Sequence, residues 1–333
     1  MFHGYAAQGP GEELQPFEFE PGPIGPTDVE IKVEYCGICQ SDVGMMDNAW
    51  GVTTYPIVPG HEAVGIIQAL GDQVHHLDIG QRVGVGWNAG SCMTCEWCVA
   101  GDHNLCASAR GTIVGRAGGF ADQIRADATW TFPIPGVLRP EVAGPLLCGG
   151  ATVFNPLVEY GITATDRVGV IGIGGLGHMA LKFLAAFGCE VTAFSSSPDK
   201  EEEARSLGAD HFVNSRDATA LKKMARSLDF ILSTVSASLD WEGYLNVLRP
   251  KGRLHLVGFV PEPLSVPMGP LLIGQNSVSS SPDASPATTV RMLEFAARNN
   301  IEPLVELFPL TQVNDAIERL RQGKPRYRLV LEN

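Results

Sequence analysis

Residues 167–177 read Arg-Val-Gly-Val-Ile-Gly-Ile-Gly-Gly-Leu-Gly, an apolar run that leads directly into a glycine-rich turn. The turn has the spacing G-x-G-x-x-G, and apolar residues at helical spacing follow it in 176–187. A strand, this turn and a helix in that order form the context in which the glycine pattern indicates a dinucleotide-binding loop. The glycines permit a tight turn, and the helix N-terminus offers N–H groups to a pyrophosphate. A ligand-free glycine turn is the alternative. The cofactor contacts predicted from this loop are Gly172, Gly174, Gly175, Leu176 and Gly177.

Strand-like and helix-like segments alternate from about Gly150 onward. Short apolar runs are found at 167–171, 191–194, 229–232 and 253–258, and helix-like segments at 200–207, 218–228 and 239–248. This alternation predicts βαβ units and a parallel sheet, so the fold class is α/β. Two more helices are expected over 287–298 and 314–322.

The first 150 residues have a different character. They are rich in glycine and proline, and 29–35 alternates between apolar and polar residues as a half-buried strand does. Further short strand candidates are 64–70 and 81–85. This part of the chain is therefore expected to form an antiparallel β-domain with long loops.

The residues after the strand 191–194 bear on which dinucleotide binds. An NAD site usually has a carboxylate about 20 residues after the glycines, where it binds the ribose 2′-hydroxyl. Here the strand is followed by Ser195, Ser196, Ser197, Pro198, Asp199 and Lys200. Small hydroxyls leave room for a 2′-phosphate and Lys200 supplies a cation, while Asp199 lies beyond the ribose position. We predict NADP(H) and contacts from Ser195, Ser196, Ser197 and Lys200, although the serines can also cap the next helix.

Four of the eight cysteines lie in one stretch of fifteen residues, with the spacing C-x2-C-x2-C-x7-C at Cys92, Cys95, Cys98 and Cys106. Four thiolates can close a tetrahedral shell around one Zn²⁺, which leaves no open position and makes the metal structural. Two disulfides are the alternative. Paired C-x2-C spacings favour zinc.

Charge and composition exclude several classes of protein. The 333 residues carry a net charge of −13 and contain no run rich in Lys and Arg, so neither nucleic acid nor an anionic membrane surface is an expected partner. The first twenty residues lack the basic and apolar regions of a secretory signal. Reduced thiols and a cytoplasmic location are therefore expected.

Three further stretches contain possible metal ligands. They are 36–42, with Cys36 and Cys39; 59–62, with His61 and Glu62; and 146–150, with Cys148. Two thiolates, one imidazole and an exchangeable position make a catalytic zinc site. Spacing alone cannot bring these stretches together, and taken singly Cys148 is more often a buried core thiol.

Taken together, these motifs resemble the zinc-dependent medium-chain alcohol dehydrogenases, in particular the cinnamyl-alcohol-dehydrogenase-like aldehyde reductases. The resemblance runs in one order through the strand before Cys39, then 55–62, the four-cysteine stretch, 145–153 and 172–177. It implies a GroES-like catalytic β-domain, 1–150 completed by 281–333, that holds both zinc sites. It also implies a Rossmann NADP-binding domain over 151–280, with the reaction in the cleft between the two domains.

The family further implies the roles of individual residues. Cys39, His61 and Cys148 are expected to bind a catalytic zinc, with Glu62 behind the metal as an occasional ligand. Asp42 is expected to orient the histidine, and Ser41 to relay the substrate proton. Additional cofactor contacts are predicted at Gln40, Thr152, Thr234 and Gly258.

Two residues depart from the pattern of close relatives. Gln40 stands where a histidine often follows the first zinc ligand, and Gly44 stands where a relay histidine commonly lies. We therefore expect the proton path to end at ribose hydroxyls and water. Cys36 matches no family ligand and is expected to be a packing residue.

The resemblance implies hydride transfer between NADP(H) and a primary alcohol or aldehyde, of aliphatic, aromatic or cinnamyl type, and a homodimer formed through Rossmann edge strands. Trp50 and Trp87 either line the substrate site or pack in the core. An NAD-linked polyol or secondary-alcohol dehydrogenase on the same scaffold is one alternative function. A non-enzymatic zinc-ribbon binding protein is the other.

Overall fold

The computed structural model describes residues 1–323 and 325–333, and it divides into two compact units. The first unit comprises Met1–Ala151 and Ala284–Asn333, and the second comprises Thr152–Asp283. Within the described residues, no helix combines the length and the apolar character needed to cross a bilayer.

The strands are, in chain order, β1 (Phe2–Ala6), β2 (Gln15–Phe19), β3 (Asp28–Ile38), β4 (Glu62–Leu70), β5 (Arg82–Val85), β6 (Asn88–Gly90), β7 (Arg110–Gly111), β8 (Gln123–Asp127), β9 (Thr131–Pro133), β10 (Arg167–Ile171), β11 (Glu190–Ser195), β12 (His211–Asn214), β13 (Leu228–Ser233), β14 (Leu248–Leu256), β15 (Ser277–Ser280), β16 (Val305–Pro309) and β17 (Arg328–Glu332). The α-helices are α1 (Gln40–Met46), α2 (Glu96–Ala100), α3 (Pro140–Pro145), α4 (Ala151–Glu159), α5 (Gly177–Phe187), α6 (Glu201–Ser206), α7 (Ala218–Lys223), α8 (Trp241–Val247), α9 (Met268–Gly274), α10 (Pro286–Arg298) and α11 (Val313–Arg321). A π-helical segment, Leu146–Gly150, directly follows α3, and Pro198–Lys200 forms a 3₁₀ turn.

The first unit is built on a sheet with the strand order β16-β17-β3-β4-β5-β9, in which β8 also pairs with β3. β3 and β4 are antiparallel, so that Gly37 lies opposite Glu62. β17 is antiparallel to β3 on its other side, with Leu329 opposite Ile38. The end of β3 therefore lies beside the start of β4 and the start of β17, which brings Glu62 at the start of β4 next to Arg328 at the start of β17.

The core of this unit follows from the alternation of side chains along β3. Val29, Ile31 and Val33 are buried, whereas Lys32 between them is exposed. Helix α11 contributes Val313, Ala316 and Ile317 to the same core cluster, at the three- and four-residue spacing of one helix face.

The second unit contains a six-stranded sheet in the order β12-β11-β10-β13-β14-β15, and each neighbouring pair is parallel. This confirms the predicted parallel sheet. The order reverses direction between β10 and β13, which is the switch point where ligands bind at the carboxyl ends of such sheets. The glycine turn lies there, between the end of β10 and the start of α5.

The prediction of one helix over 218–228 is wrong at its C-terminal end, because α7 ends at Lys223 and β13 begins at Leu228. Arg226 adopts a positive φ of 55°. The N–H groups of Arg226 and Ser227 donate to the carbonyls of Asn246 and Val247 at 3.0 and 2.8 Å. Pairing with the end of α8 therefore replaces the last turn that the apolar spacing suggested.

The second unit buries one histidine completely in its sheet. His255 of β14 has both ring nitrogens hydrogen-bonded to serine hydroxyls, Nδ1 to Ser279 Oγ at 2.9 Å and Nε2 to Ser281 Oγ at 3.0 Å. Burial, together with the nearby Arg253, lowers the pKa of His255 from 6.5 to about 4. The imidazole is therefore neutral at neutral pH and joins β14 to the edge strand β15.

We expect the stability of this unit to fall in acid because of His255. As the pH falls below the ordinary pKa of histidine, the unfolded chain takes up a proton that the folded protein does not, which stabilises the unfolded state. The free energy of unfolding should therefore decrease by about 2 kcal/mol between pH 7 and about pH 4.5. Denaturant unfolding at the two pH values should show a smaller loss in His255→Gln than in the unmodified protein. His211→Gln, at an exposed histidine of the same unit, should retain the full loss. An equal loss in all three proteins would contradict the assignment.

Candidate active site

Cys39, His61, Glu62 and Cys148 form one cluster, in which the ligand atoms all lie within 4.8 Å of one another. His61 Nε2 is 3.2 Å from Cys148 Sγ, and the Sγ atoms of Cys148 and Cys39 are 3.8 Å apart. Zinc–sulfur bonds of about 2.3 Å in a tetrahedral shell place two sulfurs about 3.8 Å apart. Both the donor set and its spacing therefore fit Zn²⁺.

The sheet of the first unit brings these residues together. Cys39 directly follows β3 and His61 directly precedes β4, and the antiparallel pairing makes those two strand ends neighbours. Cys148 lies in the π-helical segment after α3, and α3 packs on β3 and β4. Pro145 ends α3 without an N–H group to donate, which interrupts the regular helical pattern just before that segment.

A buried carboxylate fixes the orientation of the histidine. Asp42 Oδ1 accepts hydrogen bonds from His61 Nδ1 at 2.8 Å and from the Gly60 N–H at 2.9 Å. Its Oδ2 accepts from the Cys39 N–H at 2.9 Å. Because Nδ1 is hydrogen-bonded to Asp42, Nε2 is the ring nitrogen that faces the cluster. Burial acts to lower the pKa of His61, but Asp42 outweighs it and raises that pKa well above its ordinary value.

The two thiols of the cluster have opposite pKa shifts. The hydrogen bond from the Cys148 thiol lowers the pKa of Cys39 well below its ordinary value, with further contributions from His61 and Arg328. The same hydrogen bond, together with burial, raises the pKa of Cys148. Cys39 is therefore the member of the pair that favours the thiolate, the form in which cysteine binds metal.

Arg328 is a member of this site that the sequence analysis did not predict. It lies at the start of β17, it is buried, and its Nη2 donates to Glu62 Oε1 and, at 3.4 Å, to the Ile38 carbonyl. Glu62 is fully buried as well, and burial raises its pKa to about 7 against the opposing effect of Arg328. Glu62 Oε2 has no hydrogen-bond partner among the described residues. The one sequence signal that could have identified Arg328 is its position as a charged residue at the start of the apolar run 328–331.

The four cysteines at 92–106 form the second cluster, again with their sulfurs within 4.8 Å of one another. Cys92 Sγ and Cys98 Sγ are 3.9 Å apart, and all eight cysteines of the chain are free. The disulfide alternative is therefore not what the structure contains. Backbone N–H groups of Cys95 and Cys92 point at Cys92 Sγ and Cys106 Sγ at 3.3 and 3.4 Å, a stabilising arrangement for thiolates.

Two tryptophans adjoin the His61 cluster. The ring of Trp87 meets the His61 ring edge-on with centroids 5.1 Å apart, and Trp50 meets Trp87 at 5.7 Å. A methyl group built on Gly44 would lie 3.6 Å from the Trp50 ring. Ser41 Oγ lies 3.7 Å from Cys39 Sγ. Apolar aromatic surface and one hydroxyl therefore lie next to the candidate metal ligands.

The glycine turn of the second unit adopts a geometry that requires glycine. Gly172 has a φ of 87°. A side chain at Gly177 would collide with the Gly172 carbonyl, so the two residues must approach backbone to backbone. The Thr234 hydroxyl donates to the carbonyls of Ile171 and Gly172, both at 2.9 Å. Gly258 likewise has no room for a side chain beside Val235.

The polar residues after β11 lie at the same edge of the sheet. Ser195 is the last residue of the strand, and its Oγ accepts from the Ser197 N–H at 3.2 Å. Lys200 Nζ donates to the Ile173 carbonyl of the glycine turn at 2.8 Å. Asp199 lies in the 3₁₀ turn beyond the strand end, and Ser196 is exposed. No carboxylate therefore follows the strand directly.

Two further residues that were predicted to contact the cofactor lie outside the glycine turn and the end of β11. Gln40 is the first residue of α1 in the first unit, and Thr152 is the second residue of α4. Their contact with a cofactor stays a prediction.

Two known protein families match the sequence of the chain. Residues 25–136 match the alcohol dehydrogenase GroES-like domain family, and residues 175–298 match the zinc-binding dehydrogenase family. The aldehyde reductase AdhA of Synechocystis sp. is 50% identical over 333 residues, which cover 100% of this chain and 99% of that protein.

Two solved structures have the same fold over nearly the whole chain. A cinnamyl alcohol dehydrogenase from Sorghum bicolor superposes with a TM-score of 0.95 at 39% identity, covering 99% of this chain and 97% of the other. The cinnamyl alcohol dehydrogenase of Helicobacter pylori, in complex with NADP(H), has a TM-score of 0.92 at 32% identity, with coverage of 99% and 97%. These likenesses confirm the predicted combination of a GroES-like domain and a Rossmann sheet.

The buried Arg328–Glu62 pair leads to a test of stability. Arg328→Met leaves the Glu62 carboxylate buried without its cation, so the free energy of unfolding should fall by about 3–5 kcal/mol in denaturant titrations. Adding Glu62→Gln should recover much of this loss. The matched control is Arg82→Met, which removes a partly exposed pair with Glu34 and should cost less than about 1 kcal/mol. Equal effects of Arg328→Met and Arg82→Met would contradict the interpretation.

Proposed function

The chain belongs to the cinnamyl-alcohol-dehydrogenase-like branch of the zinc-dependent medium-chain alcohol dehydrogenases, and we propose that it reduces aldehydes with NADPH at a zinc held by Cys39, His61 and Cys148. It is a zinc alcohol dehydrogenase and aldehyde reductase, as these relatives are. The observation that carries the proposal is the buried convergence of two sulfurs and one imidazole nitrogen from three distant stretches of the chain.

The protein's own groups hold and orient the reacting parts. When bound, zinc supplies Lewis acidity toward a carbonyl oxygen, and NADPH supplies the hydride. Asp42 keeps the His61 ring in one tautomer and orientation, so that Nε2 stays directed at the cluster. Ser41, beside Cys39, moves a proton to the substrate oxygen. Gly44 offers no side chain to continue a relay, so water carries that proton onward.

Glu62 is the fourth donor of the cluster, and we assign it the role of an occasional zinc ligand. Its Oε1 is 3.9 Å from His61 Nε2, and one carboxylate oxygen lies within 4.8 Å of the other three ligand atoms. Arg328 donates to the same Oε1 and balances the charge of the carboxylate. The pair can therefore keep a carboxylate near the metal without an uncompensated buried charge.

The substrates that fit best are aromatic and cinnamyl aldehydes. Trp87 and Trp50 form a continuous aromatic surface that begins at the ring of His61. Such rings gain from stacking or edge-on contact with an aromatic substrate. A polyol would instead need hydrogen-bonding groups for its hydroxyls, which these indole rings do not supply at their faces. This disfavours the polyol dehydrogenase alternative.

NADPH is favoured over NADH by the residues after β11. The strand ends in small hydroxyl side chains, and Lys200 brings a cation to the rim of the glycine turn. A 2′-phosphate needs such donors and a positive charge, whereas a ribose hydroxyl is usually held by a carboxylate. The likeness to a Helicobacter pylori enzyme in complex with NADP(H) supports the same choice.

A second zinc, bound by Cys92, Cys95, Cys98 and Cys106, completes the proposal. Four sulfurs at mutual distances below 4.8 Å leave no open position, so this ion would be structural. The zinc-ribbon alternative without catalysis does not fit a chain that belongs to this enzyme family throughout its length.

We also propose a homodimer formed through the second unit. β15 is the edge strand of the parallel sheet. Met268, Leu272 and Ile273 of the neighbouring helix α9 are between 68% and 76% exposed. An apolar helix beside an open strand edge is the kind of surface that pairs with a second copy. The cytoplasmic location stays a prediction.

The proposed function is tested by assaying aliphatic, aromatic and cinnamyl aldehydes with NADPH on protein whose zinc content is measured. We expect two zinc ions per chain and the fastest rates with ring-bearing aldehydes. Cys39→Ser should lose one zinc and about 10³-fold or more in rate while the chain stays folded. Cys95→Ser should instead lose the other zinc and lower the unfolding temperature. Full activity in Cys39→Ser would contradict the assignment of the catalytic centre.

The cofactor preference is tested by Ser196→Asp. A carboxylate there would repel a 2′-phosphate, so the KM for NADPH should rise about tenfold or more and the preference should shift toward NADH. Ser206→Asp, at an exposed serine of α6, is the matched control and should leave both KM values unchanged. A preference of the unmodified enzyme for NADH by more than tenfold would overturn the NADPH proposal.

A further inference from the structure

The glycine turn is held by side chains that all approach its carbonyl oxygens. Three successive carbonyls each accept a hydrogen bond, Gly172 from Thr234 at 2.9 Å, Ile173 from Lys200 at 2.8 Å and Gly174 from His178 at 3.0 Å. In a planar trans peptide, the C=O and the following N–H point in opposite directions. A donor that holds a carbonyl therefore directs the N–H of the same peptide away from that donor.

Of these three donors, His178 is the least expected from its surroundings. It lies in the first turn of α5, fully buried, and the other buried side chains of that helix are apolar. Burying an imidazole costs free energy unless its nitrogens are hydrogen-bonded, so an apolar residue would suit the helix better. A reason other than core packing is needed for a histidine at this position.

The bond that His178 makes provides such a reason. A carbonyl oxygen can only accept, so the ring must carry a proton on Nδ1 and donate it to Gly174. The backbone N–H of His178 donates to the same oxygen at 3.0 Å. The Gly174 carbonyl is therefore held twice by one residue, once from the ring and once from the helix.

The turn has open space at Gly174. A methyl group built on Gly174 would meet no other described atom within 4 Å, although side chains at Gly172 or Gly177 would collide. The N–H of Gly175 is antiparallel to the held carbonyl, so it points away from the His178 ring. Successive N–H groups presented in this way form an anion-binding concavity.

We infer that His178 is a positioning residue for cofactor binding, which fixes the Gly174–Gly175 peptide so that its N–H faces the pyrophosphate of the dinucleotide. The inference rests on the proposed function only in taking the ligand to be a dinucleotide. It does not depend on which aldehyde is reduced or on the residues at the metal cluster. His178 does not touch the reacting atoms, so it should affect affinity and leave the chemical step unchanged.

The test compares His178→Leu with His178→Asn in the zinc-loaded enzyme. Asparagine keeps an N–H donor close to the position of Nδ1, whereas leucine fills the space without one. The dissociation constant of NADPH, measured from its fluorescence, should rise about tenfold in the leucine variant and stay within about threefold in the asparagine variant. The KM for NADPH should follow the same pattern, with kcat within twofold.

A smaller ligand separates positioning from general loosening of the fold. Adenosine 2′-monophosphate has no pyrophosphate, so its affinity, measured by calorimetry, should stay within twofold in both variants. Equal weakening of both ligands, or unchanged NADPH binding in His178→Leu, would overturn the inference. If NADH proves to be the cofactor, the same comparison is made with NADH and adenosine in place of NADPH and adenosine 2′-monophosphate. The NADPH proposal can then fail while the role of His178 is still tested.

A measurement on the unmodified protein covers the case in which the leucine variant does not fold. Nitrogen-15 NMR of histidine-labelled protein should show His178 protonated on Nδ1 from pH 6 to pH 8, with a resonance that shifts on adding NADPH and not on adding adenosine 2′-monophosphate. A ring protonated on Nε2 alone would overturn the inference.

Discussion

The candidate catalytic centre depends on the buried carboxylate of Asp42. Its two oxygens accept the N–H of Cys39, the N–H of Gly60 and the ring Nδ1 of His61. These three donors come from the segment after β3 and the segment before β4, so one side chain joins the two strand ends that carry the ligands. A carboxyl group buried this completely is stable because both of its oxygens accept hydrogen bonds. These hydrogen bonds thus position Cys39 and His61 without any contribution from a metal.

Much of the fold could be predicted because local pattern and tertiary structure agree in the second unit. The run 167–177 predicted a strand, a tight turn and a helix, and β10, the glycine turn and α5 are found there. The pattern failed where pairing overrode it: the spacing in 218–228 suggested one helix, but backbone bonds to Asn246 and Val247 end it early. The short helices α1 and α3 were not predicted, since seven and six residues are too few to show a period.

The two cysteine-containing clusters and Arg328 could be predicted from the sequence to different degrees. The four cysteines at 92–106 are close in sequence, so their spacing alone indicated a cluster. Cys39, His61 and Cys148 are separated by up to 109 positions, and only their likeness to a known family suggested that they meet. Arg328 was missed because it comes from the last strand, and no local feature connects it with Glu62. What fixes its place is the pairing of β17 with β3, which a sequence pattern does not encode.

That pairing has a consequence for how the protein is made. The first unit is discontinuous, since Ala284–Asn333 completes a sheet begun by Met1–Ala151. On the ribosome, every candidate ligand of both clusters therefore emerges well before Arg328 does, and the whole parallel sheet is synthesised in between. Until β17 leaves the exit tunnel, residues 35–38 of β3 have no strand on one side, and Glu62 has no guanidinium to balance its charge. A polypeptide that stops before β17 would therefore contain every cysteine of both clusters and still be unable to complete the sheet beside Glu62.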